Sequence, residues 1–390
     1  MPLGIYISVP FCRSKCSFCN FASGVFPRHK MDGYVERVQT EIALAEPLAH
    51  SLGAEFPREV DSIYLGGGTP TTLAPEHLRK LFDALQHGFE VQPDAEITVE
   101  CAPGTLHPEL LDALLQVGTN RVSLGTQSFV DEEIRSVGRL HNAQQTLAEI
   151  ATLRDSAIDN INVDLIAGLP HQTRESWRLS LNRLVDSGVP HASVYILEID
   201  EDSRLGRELI AGGKRYHAHH VPDSDLAADL YLEATEFLTS AGLQQYEISN
   251  FARPGLESRH NLKYWTRRPY FGFGVDAHSM LLSETQFEDS VRFSNADELE
   301  TYLARSSTLS LNAISREQAD EESFFLGLRL NRGIDLSTTR PQAVKTFESD
   351  LNDLLSLGLL QREGNFLRLT ARGRLLSNEV FERFIGEKVA

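Results

Sequence analysis

Ile5-Tyr6-Ile7-Ser8-Val9-Pro10-Phe11-Cys12-Arg13-Ser14-Lys15-Cys16-Ser17-Phe18-Cys19-Asn20-Phe21 is the stretch on which the reading of this chain turns. Its first five residues have the apolar, β-branched character of a strand, and Pro10 ends the run. A short loop then supplies three cysteines, with gaps of three and two residues between them. The whole chain of 390 residues has four cysteines. Pairing three clustered thiols as disulfides leaves one over and builds no framework. In a reducing compartment, clustered thiolates are soft ligands for zinc or for an iron–sulfur cluster. Structural zinc takes four protein ligands, usually as two pairs. Three thiolates on a four-iron cube instead leave one iron without a protein ligand, free to take a small chelating molecule. Arg13 and Lys15 can offset the charge of such a cluster. The competing reading is a zinc site with Cys101 as fourth ligand.

Outward from this loop, short strand-like runs alternate with helical ones. Strands are expected at Ile5–Val9, Asp61–Leu65, Glu96–Glu100, Arg121–Leu124, Ile161–Ile166 and Ser193–Leu197. Helices are expected between them, among them Tyr34–Ala45, Glu76–Leu85, Pro108–Val117, Ala143–Leu153 and Glu175–Val185. Six β–α alternations predict a parallel sheet, because parallel strands need crossover helices. Polar and glycine-rich signals fall just after five of the strands. Chemistry gathered from many strand ends is how a β/α barrel builds its site, whereas an open sheet concentrates it at one switch point. The expected fold is therefore α/β, a partial (β/α)6 barrel resembling a TIM barrel, over residues 1–285.

Beyond it come a helix at Asp225–Thr239, a strand at Gln245–Ile248 and an aromatic, glycine-rich loop to about Met280. Residues 290–390 read as a smaller helical domain. Helices at Asp297–Ala304, Glu317–Leu330 and Val344–Leu357 precede a hairpin over Leu359–Leu369, turning at Gly364-Asn365. That order is winged-helix-like.

Apolar residues make up 41% of the chain and charged residues 24%, enough for a sizeable core. The formal net charge of −18 argues against nucleic acid as a partner, since such a surface repels phosphate backbones. No run is long and apolar enough for a membrane span, and the N-terminus lacks the pattern of a signal peptide. A cytoplasmic protein is expected.

The CxxxCxxC loop after a first strand, followed by Gly66-Gly67-Gly68-Thr69-Pro70 after the second, resembles the radical S-adenosylmethionine (SAM) superfamily. Longer stretches, Tyr6–Phe21, Tyr64–Thr71, Arg121–His141, Asn162–Thr173 and Tyr246–Ser279, resemble the oxygen-independent coproporphyrinogen III oxidase group and, within it, the haem chaperone branch. The resemblance implies a [4Fe–4S] cluster on Cys12, Cys16 and Cys19, with SAM at the open iron. It implies that Gly67, Gly68 and Thr69 meet the SAM amino group, and that Arg139 pairs its carboxylate through a planar fork. Glu100 and Asp164 would take polar edges, Gln127 would complete the set, and Tyr6 and Phe18 would line the pocket. Glu198 occupies a further pocket position. The family's asparagine-proline pair is replaced here by Ala102-Pro103.

Three features separate chaperone from oxidase. The oxidases carry a fourth loop cysteine where this chain has Phe21. They carry an N-terminal extension ahead of the first strand, which this chain reaches almost at once. His260-Asn261-Leu262-Lys263-Tyr264-Trp265 matches the HNxxYW signature of the chaperone branch. His260 is accordingly the expected haem ligand, neutral imidazole being a ligand for haem iron. The resemblance thus implies a protein that binds haem and passes it to haem-requiring respiratory proteins, and it allows a homodimer. The alternatives are coproporphyrinogen III oxidation, in which propionate side chains are oxidatively decarboxylated, and haem modification by a related methyltransferase. His217, His219 and His220 are expected to lie on a solvated loop.

Overall fold

The computed structural model describes residues 1–285, 288–304 and 309–386. Six strands, β1 (Leu3–Val9), β2 (Glu59–Gly67), β3 (Glu90–Cys101), β4 (Arg121–Gln127), β5 (Asn160–Ala167) and β6 (His191–Ile196), lie side by side in chain order and run parallel. Strictly sequential order with right-handed crossovers puts every connecting helix on one face of the sheet. An open doubly wound sheet would reverse its order part-way. The partial barrel expected from the strand-end signals is the fold found.

Residue alternation within each strand shows how the sequence makes this choice. Ile5, Ile7, Ile63, Leu65, Ile97 and Val99 pack with Val35, Val38, Leu78, Leu81 and Leu110 of the surrounding helices. Val122, Leu124, Ile161, Val163, Ala192 and Val194 pack with Ile150, Trp177, Leu181 and Leu230. The intervening positions face inward and are polar or small: Tyr6 and Ser8, Ser62 and Tyr64, Glu96, Thr98 and Glu100, Ser123, Asn162 and Asp164, His191 and Ser193. Burial of the first set drives folding, and the second lines the inner face.

The large sheet is wider than the sequence suggested. β7 (Gln244–Gln245) and β8 (Asn250–Ala252) extend the β6 edge. On the other edge β9 (Tyr270–Gly274) pairs parallel with β1, and β10 (His278–Leu282), β11 (Glu288–Ser294) and β12 (Ser310–Ser315) follow antiparallel. The segment expected to be a glycine-rich loop is thus partly strand. Its glycines allow close approach: a Cβ on Gly272 would lie 2.2 Å from the His278 carbonyl oxygen. The sheet also runs to Ser315, past the boundary expected near residue 285. Among the described residues β12 and β7 do not pair, so the barrel stays open.

The helix Arg259–Trp265 closes the N-terminal end of the strands. Glu96, on the inner face of β3, accepts hydrogen bonds from the backbone N–H of Arg259 and His260, both at 3.0 Å. A carboxylate there satisfies open N–H groups and complements the helix dipole. Lys263 reaches Asp61 at 2.6 Å and donates to the Pro2 carbonyl at 2.8 Å. Lys263→Met is expected to lower the unfolding free energy by about 3 kcal/mol, because it strands a buried carboxylate. Urea denaturation of the cluster-free protein checks this, and adding Asp61→Asn should recover part of the loss.

The C-terminal part has its own core, where the rings of Phe324, Phe347 and Phe384 meet at centroid distances of 5.0 to 5.3 Å. Strands β13 (Ile334–Asp335), β14 (Leu360–Glu363) and β15 (Phe366–Leu369) form its sheet, with the expected hairpin turn between the last two. The long helix expected at Val344–Leu357 is two, Pro341–Thr346 and Glu348–Ser356. The helix expected at Asp297–Ala304 spans Leu299–Leu303.

Candidate functional site: a thiol triangle at the barrel mouth

The cysteine loop leaves β1 at the C-terminal end of the strands. It is clamped there by the glycine turn that leaves β2: Gly68 N–H donates to the Val9 carbonyl at 2.7 Å, and Thr69 N–H to that of Phe11 at 2.8 Å. A Cβ on Gly68 would lie 2.8 Å from the Val9 oxygen and 3.0 Å from Cys12 Sγ, so this position has room for glycine alone. Gly67 has φ +95°, a conformation glycine adopts at no steric cost.

Cys12, Cys16 and Cys19 are free thiols. Burial pushes the Cys12 thiol up, against hydrogen bonds from Thr69 and Ser23, and the other two sulfurs add to the rise. Cys12 Sγ lies 3.7 Å from Thr69 Oγ1, and Arg139 Nη1 lies 3.7 Å from Cys16 Sγ. Three free thiols on one loop, beside a guanidinium, suit a polythiolate cluster. Cys101 is turned away. It stands on the helix-facing side of β3, 3% exposed, within 3.5 Å of Thr105 and 3.4 Å of Glu149. The strand's alternation therefore removes Cys101 as the fourth ligand of the competing zinc reading.

Around the thiols the structure gathers most of the expected residues. Arg139 also donates to the Gly125 carbonyl at the end of β4. Glu100 accepts from Tyr64 at 2.9 Å; burial and then nearby Asp164 push its carboxyl up to about 7. Asp164 is held by Asn162 at 2.7 Å and is also raised, chiefly by burial. Gln127 sits at φ +69° where β4 ends. Phe18 packs on Val137, Ile166 and Leu169. Tyr6 lies 6.1 Å, ring to ring, from Tyr64. Glu198 is exposed beyond β6, apart from this group. Tyr64, which seats Glu100, escaped the sequence reading; its place on the polar side of β2's alternation was the available signal.

Two cavities flank the cysteine loop. One, of about 250 Å³, includes Arg13, Cys16, Thr69, Gly104 and Arg139 in its wall. The other, of about 260 Å³, is bounded by Tyr6, Phe21, Tyr264, Tyr270 and His278.

A model of the radical SAM superfamily matches residues 6–184, and one of the HemN C-terminal domain matches residues 314–376. "Heme chaperone HemW" of Bacillus subtilis is 32% identical to this chain over 98% of it and 99% of that protein. The chain belongs to the HemW family of radical SAM proteins. The protein of the same description from Escherichia coli is 29% identical, over 99% of each chain. Among solved structures, coproporphyrinogen III oxidase (HemN) of Escherichia coli superposes with a TM-score of 0.82 at 28% identity, over 98% of this chain and 90% of that one. Membership of the radical SAM superfamily implies a [4Fe–4S] cluster and SAM, and the thiol triangle fits the first.

The HemW signature at 260–265 has a structural role in this fold. His260 is 1% exposed beneath Tyr6 and Tyr64. Its Nδ1 meets Ser62 Oγ at 3.1 Å and its Nε2 meets the Tyr264 hydroxyl at 2.8 Å, so both ring nitrogens are engaged. Burial pushes its pKa down to about 3, with Lys263 adding to the effect. Trp265 carries the Arg329 guanidinium 4.2 Å from its ring centroid and so joins the barrel to the C-terminal part.

The other histidine group lies on the far side of the mouth, on the turn Arg215–His220. His217 Nδ1 is 3.0 Å from Nε2 of His171, but among the described residues no three His, Cys, Asp or Glu side chains close around a single ion.

Proposed function

We propose that this protein binds haem beside a [4Fe–4S] cluster and passes it to haem-requiring proteins. The observation that carries the reading is the full-length match to HemW relatives, in a chain whose cysteine loop continues into Phe21. Respiratory haem proteins in the same compartment, the cytoplasm, are the recipients by that resemblance. The cluster would sit on Cys12, Cys16 and Cys19. SAM would lie between Arg139, Glu100, Asp164 and the turn at Gly67, Gly68 and Thr69, with Tyr6, Phe18 and Gln127 around it. A cluster with SAM at its open iron supplies one-electron and radical chemistry when loaded.

This chain's own contribution is binding and placement. Arg139 brings positive charge beside Cys16 and a fork suited to a carboxylate. Glu100, half-neutral near neutral pH, accepts from donors or offers its own proton. The exposed apolar side chains Phe21, Leu140 and Ile199 around the mouth suit a flat apolar cargo or the surface of a recipient. Among the described residues no helix is long and apolar enough to cross a membrane.

Anaerobic reconstitution with iron and sulfide, followed by parallel assays, tests the reading. Haem is expected to bind and to move to an added apo-haem protein, while coproporphyrinogen stays intact. Decarboxylation at enzymatic rates would replace the carrier with the oxidase.

A further inference from the structure

We infer that His278, at the mouth cavity, takes the haem iron, and that His260 instead braces the cavity from below. This rests on the haem-carrier reading and names the site within it.

The argument begins with register. β9 lies parallel to β1, with Tyr6 opposite Gly272 and Ser8 opposite Gly274. β10 returns antiparallel, with Met280 opposite Tyr270, which sets His278 across from Gly272. Tyr6, Gly272 and His278 therefore share the inner face of the sheet at one level. Glycines at 272 and 274 let the backbones of His278 and Ser8 close against β9, which seats His278 beside Tyr6 at the cavity. Tyr6, Tyr264, Tyr270 and Phe21 supply aromatic walls to this cavity of about 260 Å³. The size admits part of a porphyrin, with the remainder open to solvent and to a recipient.

His278 stands at the rim with its side chain 68% exposed, and its Nε2 lies 3.6 Å from Asp276 Oδ1. The carboxylate lies on the Nε2 side of the ring and leaves Nδ1 on the side away from it, a pairing of the kind that orients metal-binding imidazoles. Phe21 is 63% exposed beside the same cavity. A phenyl ring left in water there gains apolar contact when a flat ligand covers it.

Two other imidazoles facing the inside of the barrel are spent. His260 has both nitrogens bonded, as does His191, to Asn162 at 2.6 Å and Tyr246 at 3.0 Å. His141 is buried against the Thr126 carbonyl. His260 also lies one register step nearer the N-terminal end, at the level of Ser62, under the Tyr264 hydroxyl.

Hemin titration of the anaerobic, cluster-loaded protein, read by the Soret band and by electron paramagnetic resonance of the ferric state, tests the assignment. His278→Ala is expected to weaken binding at least about tenfold and to shift the Soret band. His260→Gln should keep the parent's band position. His278 is exposed, so iron and sulfide content should equal the parent's and report an intact fold. A His278→Ala variant with the parent's affinity and spectrum would overturn the assignment while leaving haem carriage standing. A parent protein that gives no Soret change with hemin would overturn both.

Discussion

Replacing Cys16 by alanine is expected to leave the anaerobically reconstituted protein with roughly a tenth or less of the parent's iron and sulfide. Cys101→Ala is expected to leave both unchanged. The contrast follows from where the loop after β1 and the strand β3 place their side chains. Cys16 projects from the loop that β1 delivers to the mouth, with Arg139 at 3.7 Å. Cys101 projects to the opposite side of β3, into the helix layer, where Thr105 and Glu149 surround it. A two-sulfur cluster site is underliganded, so loss of one thiolate removes the cube. Loss of the Cys101 thiol removes a buried contact and costs about 1 kcal/mol of stability. Iron and sulfide analysis with visible absorption decides the matter. Retention of iron by Cys16→Ala, or its loss from Cys101→Ala, would mean that the ligand set is different.

Glu100→Gln is expected to stabilise the cluster-free protein at pH 8 by about 2 kcal/mol and to leave it unchanged below pH 4.5. Glu100 is held by burial and Asp164 at a pKa of about 7, against 4.5 for an ordinary glutamate. A carboxyl raised in this way binds more protons folded than unfolded between those values. Its contribution to stability therefore falls as pH rises through 4.5 to 7, and the full cost is reached above 7. Glutamine keeps the acceptor for Tyr64 without the buried charge. The same change should weaken SAM binding by about tenfold or more, since a charged or proton-sharing acceptor is lost. Denaturation at the two pH values and equilibrium binding of SAM are the measurements. Equal stability changes at both would show that Glu100 is not held near neutrality. A site that costs stability until its ligand arrives is a familiar trade in binding proteins.

The two predictions draw on different kinds of legibility. The cysteine loop and the six-fold β–α alternation were readable because each is local: a gap of three and two residues, or an apolar run ended by glycine and proline. Tyr64 and Glu96 were missed because their partners are distant in the chain. Tyr64 meets Glu100 from a neighbouring strand, and Glu96 caps a helix that begins at Arg259. β9 to β12 were missed for a related reason. β9, with its glycines at 272 and 274, resembles loop when taken alone, and the strand character of β9 to β12 comes from pairing with β1 and with each other.

By itself the sequence determined that three of the four cysteines share one loop after the first strand, and that polar and glycine-rich signals follow five of the strands. Side-chain alternation and motif spacing are properties of the linear chain. Only the tertiary structure decided which histidine is free. His260 and His278 both lie within the stretch Tyr246–Ser279. One lies a strand register deeper, with both nitrogens bonded, and the other stands at the open end with one side unbonded. Depth in a barrel is fixed by pairing between strands far apart in the chain, and no local pattern encodes it.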